Sequence, residues 1–308
     1  MKRAPGTAQE PLSASQALII SLLLGLVGVA QGCMPAAIGA NEKLVADRIA
    51  SNPEIRSLSV PSADFDLYFR SAGAAKEVQL LWIHGTPGGW SDIAGLMVDD
   101  SFLERGRIIS IDRPGWGLSQ SRGQQRMATT FEEHSTLLQP LLEQLHDEYP
   151  EVPLIAAGHS WGSPMAAYLG ARHPDLVDGV VALAGPFDPS LKILRWYNHA
   201  GRLPGVRTLI GSTLRRSNIE MFLLPGEVQA AQEVWQTLKR PLLIIHGKDD
   251  TLVPIAHVDY AARLFANTQT HILKLDDQGH LLQFEQPALI GRCALALARQ
   301  DMSACLGR

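Results

Sequence analysis

The stretch of this 308-residue chain with most chemical content is "AAGHSWGSP", residues 156–164. It sets Ser160 between Gly158 and Gly162, each two positions away. A serine hydroxyl is a weak nucleophile at neutral pH. It needs a general base within hydrogen-bond reach, and that base needs a carboxylate to hold its tautomer and stabilise its charged form. Histidines stand beside the serine (His159), at the ends of apolar runs (His84 and His246) and in a late Gly-His step (His280). Two adjacent carboxylates, Asp249 and Asp250, follow one of those runs. A tetrahedral intermediate also needs donors for its oxyanion, and the backbone N–H of Trp161, directly after the serine, is suited to that. The chemistry these residues can do together is acyl transfer to water.

The element before Ser160 is an apolar run, "VPLIAAG", and the one after it is a helical pattern, "WGSPMAAYLGARHP". A strand that reverses at once into a helix leaves no room for a side chain where the two converge, hence the glycines. The turn lifts the Ser160 hydroxyl out of the C-terminal edge of a sheet, in a strained backbone conformation, with the positive end of the helix beside it. Nearly continuous apolar runs recur at residues 78–85, 107–115, 176–185, 241–250 and 270–277, as expected for strands covered on both faces. "IRSLSVP" and "FDLYFRSA" read as a hairpin joined near Pro61. Helical patterns lie between, at 131–149, 255–266 and 288–300, and Pro140 is expected to kink or divide the first of these. Strands alternating with helices predict an α/β fold with a mainly parallel central sheet and helices on both faces.

Residues 186–240 break this rhythm and predict a helical insertion, a cap over the site or a domain boundary without a role. Between Phe187 and Arg240 it carries eight basic and four acidic residues. That excess suits anionic lipid or an acidic substrate, and equally a solvated helix face. Trp196, Tyr197, Met221, Phe222 and Leu223 are candidates for an apolar acyl pocket or for the insertion's own core.

"HGTPGG" (84–89), "DRPGWGLS" (112–119), "HGKDDTLVP" (246–254) and "DQGH" (277–280) accompany the serine motif in this order. Together they resemble the α/β-hydrolase superfamily over about residues 55 to 300. The resemblance implies an α/β-hydrolase fold with its core at 55–185 and 241–300 and a cap at 186–240. It implies a catalytic triad of Ser160, Asp250 and His280, since Gly247, Asp250, Val253 and Pro254 match the family's spacing around its acid. Asp249 then becomes a solvated neighbour or turn cap. Thr86 and Trp161 are implied as oxyanion-hole donors, although relatives similar to proline iminopeptidases usually carry glycine in place of Thr86. His84, His159, Asp112 and Arg113 are expected to fix loops. A serine nucleophile sets the chain apart from the aspartate-dependent dehalogenase and epoxide-hydrolase branches. The expected activity is a serine hydrolase of the esterase or lipase kind acting on a small acyl substrate. A proline-iminopeptidase-like aminopeptidase and a non-catalytic envelope binding protein are the alternatives.

The first forty residues differ from the rest. Lys2 and Arg3 precede a polar stretch and then the apolar run Ala17–Ala30, 14 residues long. That is short of the roughly 20 needed to span hydrocarbon and reads as an export signal over residues 1–32, followed by a tether at 33–54. "VAQGC" resembles a bacterial lipobox with Cys33 as the lipidated residue, so the expected location is the extracytoplasmic side of a membrane. Cleavage near Ala30 and an uncleaved anchor are the other readings. Cys293 and Cys305 would remain as an even pair, either bridged or two free thiols. The formal charge of −4 gives no signal for nucleic acid. No Cys-x-x-Cys or His-Glu-x-x-His spacing calls for a metal, and hydrolysis by a triad needs no cofactor.

Overall fold

The computed structural model describes residues 40–48, 50, 55–123 and 126–307. The expected export signal, Cys33 and most of the expected tether lie outside them. Its centre is a sheet of β1 (Arg56–Ser62), β2 (Phe65–Gly73), β3 (Val78–Ile83), β4 (Gly106–Ile111), β5 (Gln120–Ser121), β6 (Leu154–His159), β7 (Gly179–Leu183), β8 (Leu242–Gly247) and β9 (Thr270–Leu275). The strand order is β1-β2-β4-β3-β6-β7-β8-β9, with β5 paired to β2. The β1–β2, β2–β4 and β2–β5 pairs are antiparallel, and every pair from β4–β3 to β8–β9 is parallel. Every residue of β3, β4, β6, β7 and β8 is buried, which explains why these segments are unbroken apolar runs rather than alternating ones. Pro61 does not join the hairpin but sits inside β1 opposite Asp66, and the turn falls at Ala63, whose φ is +47°. An edge strand tolerates proline because one row of its N–H groups has no ladder partner to lose.

The longer helices are α1 (Phe131–Glu148), α2 (Gly162–Arg172), α3 (Ser212–Ala230), α4 (Ala256–Leu264) and α5 (Pro287–Ala298). One face of the sheet packs against α1, α2 and α4, through Leu138, Leu142, Met165 and Val258 among others. The opposite face packs against α5 and the short turns at 90–103, through Ile93, Phe102, Ile290 and Ala294. Val45, in a helical stretch within the expected tether, is buried on this second face, so that stretch belongs to the folded core. Pro140 leaves α1 undivided. Its local cost of about 3 kcal/mol is outweighed by the buried leucines on either side, Leu137, Leu138, Leu141, Leu142 and Leu145. Between β7 and β8 the described chain forms only helices: Trp196–Ala200, Pro204–Leu209, α3 and Gln232–Trp235.

Cys293 in α5 and Cys305 in the terminal helical turn Ser303–Leu306 form a disulfide, both residues buried. The tail is therefore held to the core rather than frayed. Replacing both cysteines by alanine is expected to lower the free energy of unfolding by about 3 kcal/mol, the size anticipated for so short a closed loop. Urea denaturation of the two proteins measures it. Alkylation of unfolded, unreduced protein should leave both residues unmodified.

Candidate active site

β6 runs into α2 through His159, Ser160 and Trp161. Ser160 has φ +52°, a left-handed conformation that costs a non-glycine residue on the order of 1–3 kcal/mol. Its N–H donates to Leu183 O (2.9 Å), and its carbonyl accepts from Ser163 N–H (3.0 Å), so the turn is pinned from both sides. A Cβ on Gly158 would strike the carbonyl of Gly162, and one on Gly162 would strike the carbonyl of Ile83 at the end of β3. The first glycine lets helix meet strand; the second lets the helix start lie against the neighbouring strand. A Cβ on Gly85, just past β3, would lie 3.2 Å from Ser160 Cβ, which puts the "HGTPGG" loop against the serine.

Burial and contact distinguish the two aspartates. Asp249 is exposed, and its backbone N–H donates to Gln278 O (3.0 Å). Asp250 is buried, with Oδ1 accepting the N–H groups of Leu252 and Val253, each at 2.8 Å. Its Oδ2 lies 2.7 Å from His280 Nδ1 and 3.4 Å from His246 Nε2. Burial alone would raise the Asp250 pKa, but the hydrogen bonds to His246 and His280 outweigh it and hold the carboxyl well below its ordinary value. An ionised carboxylate only accepts, so His280 Nδ1 carries the proton and Nε2 is left as a base. Gly247 makes this meeting possible, since a Cβ there would strike the carbonyls of Gln278 and Gly279.

His159 ties the histidine loop to the serine turn. Its Nε2 donates to the His280 carbonyl (2.7 Å), and the two rings lie 4.7 Å apart. Burial, and then the neighbouring His280, push its pKa down to about 3, so it stays neutral in this role. The structure thus anchors His280 one residue from Ser160. Among the described residues the Ser160 hydroxyl makes no hydrogen bond, and the N–H groups of Thr86 and Trp161 are not engaged by any acceptor. The Thr86 hydroxyl is buried without a partner. No group of three or more His, Cys, Asp or Glu among the described residues is arranged to hold a metal ion.

Sequence reasoning missed the charge pair beneath the site. Arg113 and Glu220 are both fully enclosed, joined by Nη1–Oε1 (2.7 Å) and Nη2–Oε2 (2.9 Å) hydrogen bonds, with Trp116 Nε1 donating to Oε1 (2.9 Å). Arg113 also donates to Gly85 O (2.9 Å), and its guanidinium lies 3.9 Å from the centre of a Trp161 ring. One arginine therefore touches both expected oxyanion segments, while its partner belongs to α3 of the insertion. His84 completes the knot, with Nδ1 donating to Gly85 O (2.8 Å) and Nε2 accepting Arg113 N–H (3.0 Å). Burial first, then Arg113, hold its pKa well below the ordinary value. The available signal was Glu220 as the one carboxylate between Asp188 and Glu227 in a basic segment.

Comparison with known proteins points to the same fold. A family model described as alpha/beta hydrolase fold matches residues 79–205. A 2-hydroxy-6-oxononadienedioate/2-hydroxy-6-oxononatrienedioate hydrolase of Paraburkholderia phymatum is 25% identical over 261 residues, covering 71% of this chain and 86% of that protein. Among solved structures, a membrane phospholipase A described as a bacterial virulence factor superposes with a TM-score of 0.63 at 18% identity, over 92% of this chain and 98% of that one. A thermophilic esterase from Thermogutta terrifontis gives 0.62 at 18% identity, over 80% and 98%. The chain has the α/β-hydrolase fold, and its residues 79–205 match that family's model.

Two outcomes follow for stability. Glu220→Ala strands the Arg113 charge in the core and is expected to cost about 3–5 kcal/mol, whereas R113M/E220M, which removes both charges, should cost less. Denaturation of the three proteins compares them. Asp92, buried in the turn after the "HGTPGG" loop, has its pKa raised from 3.8 to about 7, chiefly by burial. Between those values the unfolded chain has ionised and the folded one still holds the proton. The contribution of Asp92 to stability is therefore present below about pH 4 and lost as pH rises to about 7. Asp92→Asn should flatten that part of the profile of urea midpoint against pH.

Proposed function

We propose that this protein is a serine hydrolase that cleaves a carboxylic ester or related acyl bond through an acyl-enzyme on Ser160. The observation that carries this reading is the Asp250–His280 hydrogen bond, delivered by the His159 tie to within one residue of a serine in a left-handed turn. In the proposed reaction the Ser160 hydroxyl attacks the acyl carbonyl as His280 Nε2 takes its proton, and Asp250 stabilises the imidazolium. The N–H groups of Trp161 and Thr86 receive the oxyanion, each worth roughly 3 kcal/mol of barrier. The intermediate collapses to the acyl-enzyme, and the leaving alcohol departs with the proton from His280. Water, deprotonated by the same nitrogen, then attacks the ester on Ser160, and the acid leaves as the serine regains its proton.

The helical insertion at 186–240 is proposed as the cap that selects the acyl group. Export and attachment on the extracytoplasmic side, through Cys33 or an uncleaved anchor, belong to the same proposal; the Cys293–Cys305 bridge suits an oxidising compartment. The name of the Paraburkholderia relative motivates a second reading, in which the substrate is an oxo-dienedioate of the kind that name specifies.

Wild type and Ser160→Ala should be compared on p-nitrophenyl esters, proline p-nitroanilide and 2-hydroxy-6-oxononadienedioate. The expected result is ester hydrolysis with kcat/KM about 10⁴-fold lower in Ser160→Ala and in His280→Gln. A fluorophosphonate should label Ser160 alone. Ester turnover undiminished in Ser160→Ala would refute the acyl-enzyme. Turnover confined to the anilide or to the dienedioate would reassign the substrate.

A further inference from the structure

The insertion presents a surface unlike the rest of the molecule. Trp196, Tyr197, Leu203, Leu209, Ile219 and Leu223 are each more than 40% exposed, and they make up more than half of the large apolar side chains so exposed among the described residues. Of the five residues whose types suit an acyl pocket or the insertion's own core, Trp196, Tyr197 and Leu223 are exposed, Phe222 is partly covered, and Met221 packs partly against the core. 

The basic residues Lys192, Arg202, Arg207 and Arg215 are exposed in the same stretch. Its one carboxylate between Asp188 and Glu227 is Glu220, which is buried and neutralised by Arg113. From residue 189 to 226 the surface therefore carries apolar side chains and positive charge and no exposed acid. On α3, the stripe Ser217, Glu220, Leu224 and Val228 faces inward. Arg215, Ile219 and Leu223, four residues apart, fall on the opposite side. The helix Pro204–Leu209 buries none of its residues. The helix Trp196–Ala200 is fastened beside α3 by the Asn198–Asn218 hydrogen bonds (3.0 Å each) and by the His199–Phe222 ring contact (5.3 Å). These helices therefore present their uncovered sides together rather than as scattered residues.

We infer that this face of the β7–β8 insertion docks on a lipid bilayer rich in anionic headgroups. A surface of aromatic and aliphatic side chains interleaved with arginine, lacking carboxylate, is what an interface of acyl chains beneath phosphate selects. Tryptophan and tyrosine sit well at headgroup depth, and arginine stems can lie along apolar surface while the guanidinium meets phosphate. A single face of this kind is also oriented with respect to the proposed site. The insertion leaves the sheet at the end of β7, the same edge at which β6 delivers Ser160 and β8 delivers Asp250, and Arg195 hydrogen-bonds the Thr251 carbonyl beside that aspartate. Docking does not depend on hydrolysis, so it can be tested apart from the reaction proposed for Ser160.

The test uses the full chain, so that whatever the N-terminal segment contributes is common to every protein compared. Sedimentation is measured with phosphatidylcholine vesicles, with and without about one third phosphatidylglycerol. The wild type should partition more strongly to the anionic vesicles, and rising salt should weaken that preference. Arg207→Glu and Arg215→Glu should each weaken anionic partition by about fivefold or more, the effect of one interfacial basic residue. L203S/L209S should weaken partition to both kinds of vesicle. These side chains are exposed and bear no tertiary hydrogen bond to the core, so circular dichroism and the urea midpoint should be unchanged. Equal partition of wild type and all variants would overturn the inference. So would a wild-type dimer in solution that the same substitutions dissociate, because a second copy, not a bilayer, would then cover the face.

Discussion

Backbone has to meet backbone at the C-terminal edge of this sheet, and the rest of the site depends on that constraint. Three glycines permit it, each against a different neighbour: Gly158 against the start of α2, Gly162 against the end of β3, and Gly247 against the carbonyls of Gln278 and Gly279. The first two hold Ser160 in its left-handed turn beside the "HGTPGG" loop, and the third lets the loop of Asp250 touch the loop of His280. Hydrogen bonds alone would not achieve this, because a Cβ at any of the three positions would force the elements apart before the polar groups came within reach.

A second layer of order comes from buried charge. Arg113 and Glu220 are enclosed where a single unpaired charge would be costly, and each satisfies several partners. The pair joins α3 of the insertion to the segment after β4. It also links that helix to Gly85 and Trp161. His84 and His159 act in the same way at lower cost. Both are kept neutral by burial; His84 ties its own loop to Arg113, and His159 ties the His280 loop to the serine turn. Arg113, Glu220, His84 and His159 thus fix the segments around the serine turn.

The surface of the insertion inverts the usual pattern. Between residues 189 and 226 its one carboxylate, Glu220, is inside, while Trp196, Tyr197, Leu203, Leu209, Ile219 and Leu223 are outside. Read along the chain, the segment is merely basic, with eight positive and four negative residues between Phe187 and Arg240. Folded, it loses Glu220 to the interior and commits Glu227 to the N–H of Phe131, so the exposed face is more positive and more apolar than composition implies. Trp196, Tyr197 and Leu223 had the residue types of a pocket, but the core they might have joined is already filled by Phe187, Trp235 and Phe265.

The sequence by itself determined the parallel sheet and the residues of its edge. Unbroken apolar runs mark strands buried on both faces, and glycines two positions either side of a serine mark a turn with no space for Cβ; both are local consequences of sterics and solvent. The spacing of Gly247, Asp250, Val253 and Pro254, read by resemblance, also favoured Asp250 over Asp249 as the expected acid. Only the tertiary structure decided the remainder. Pro140 is carried inside one helix, Val45 joins the core, and Cys293 meets Cys305. Glu220 of α3 closes on Arg113, more than a hundred residues earlier. Such pairings depend on which faces the packed layers bring together, and burial, charge neutralisation and chain crossing become defined only once those layers are assembled.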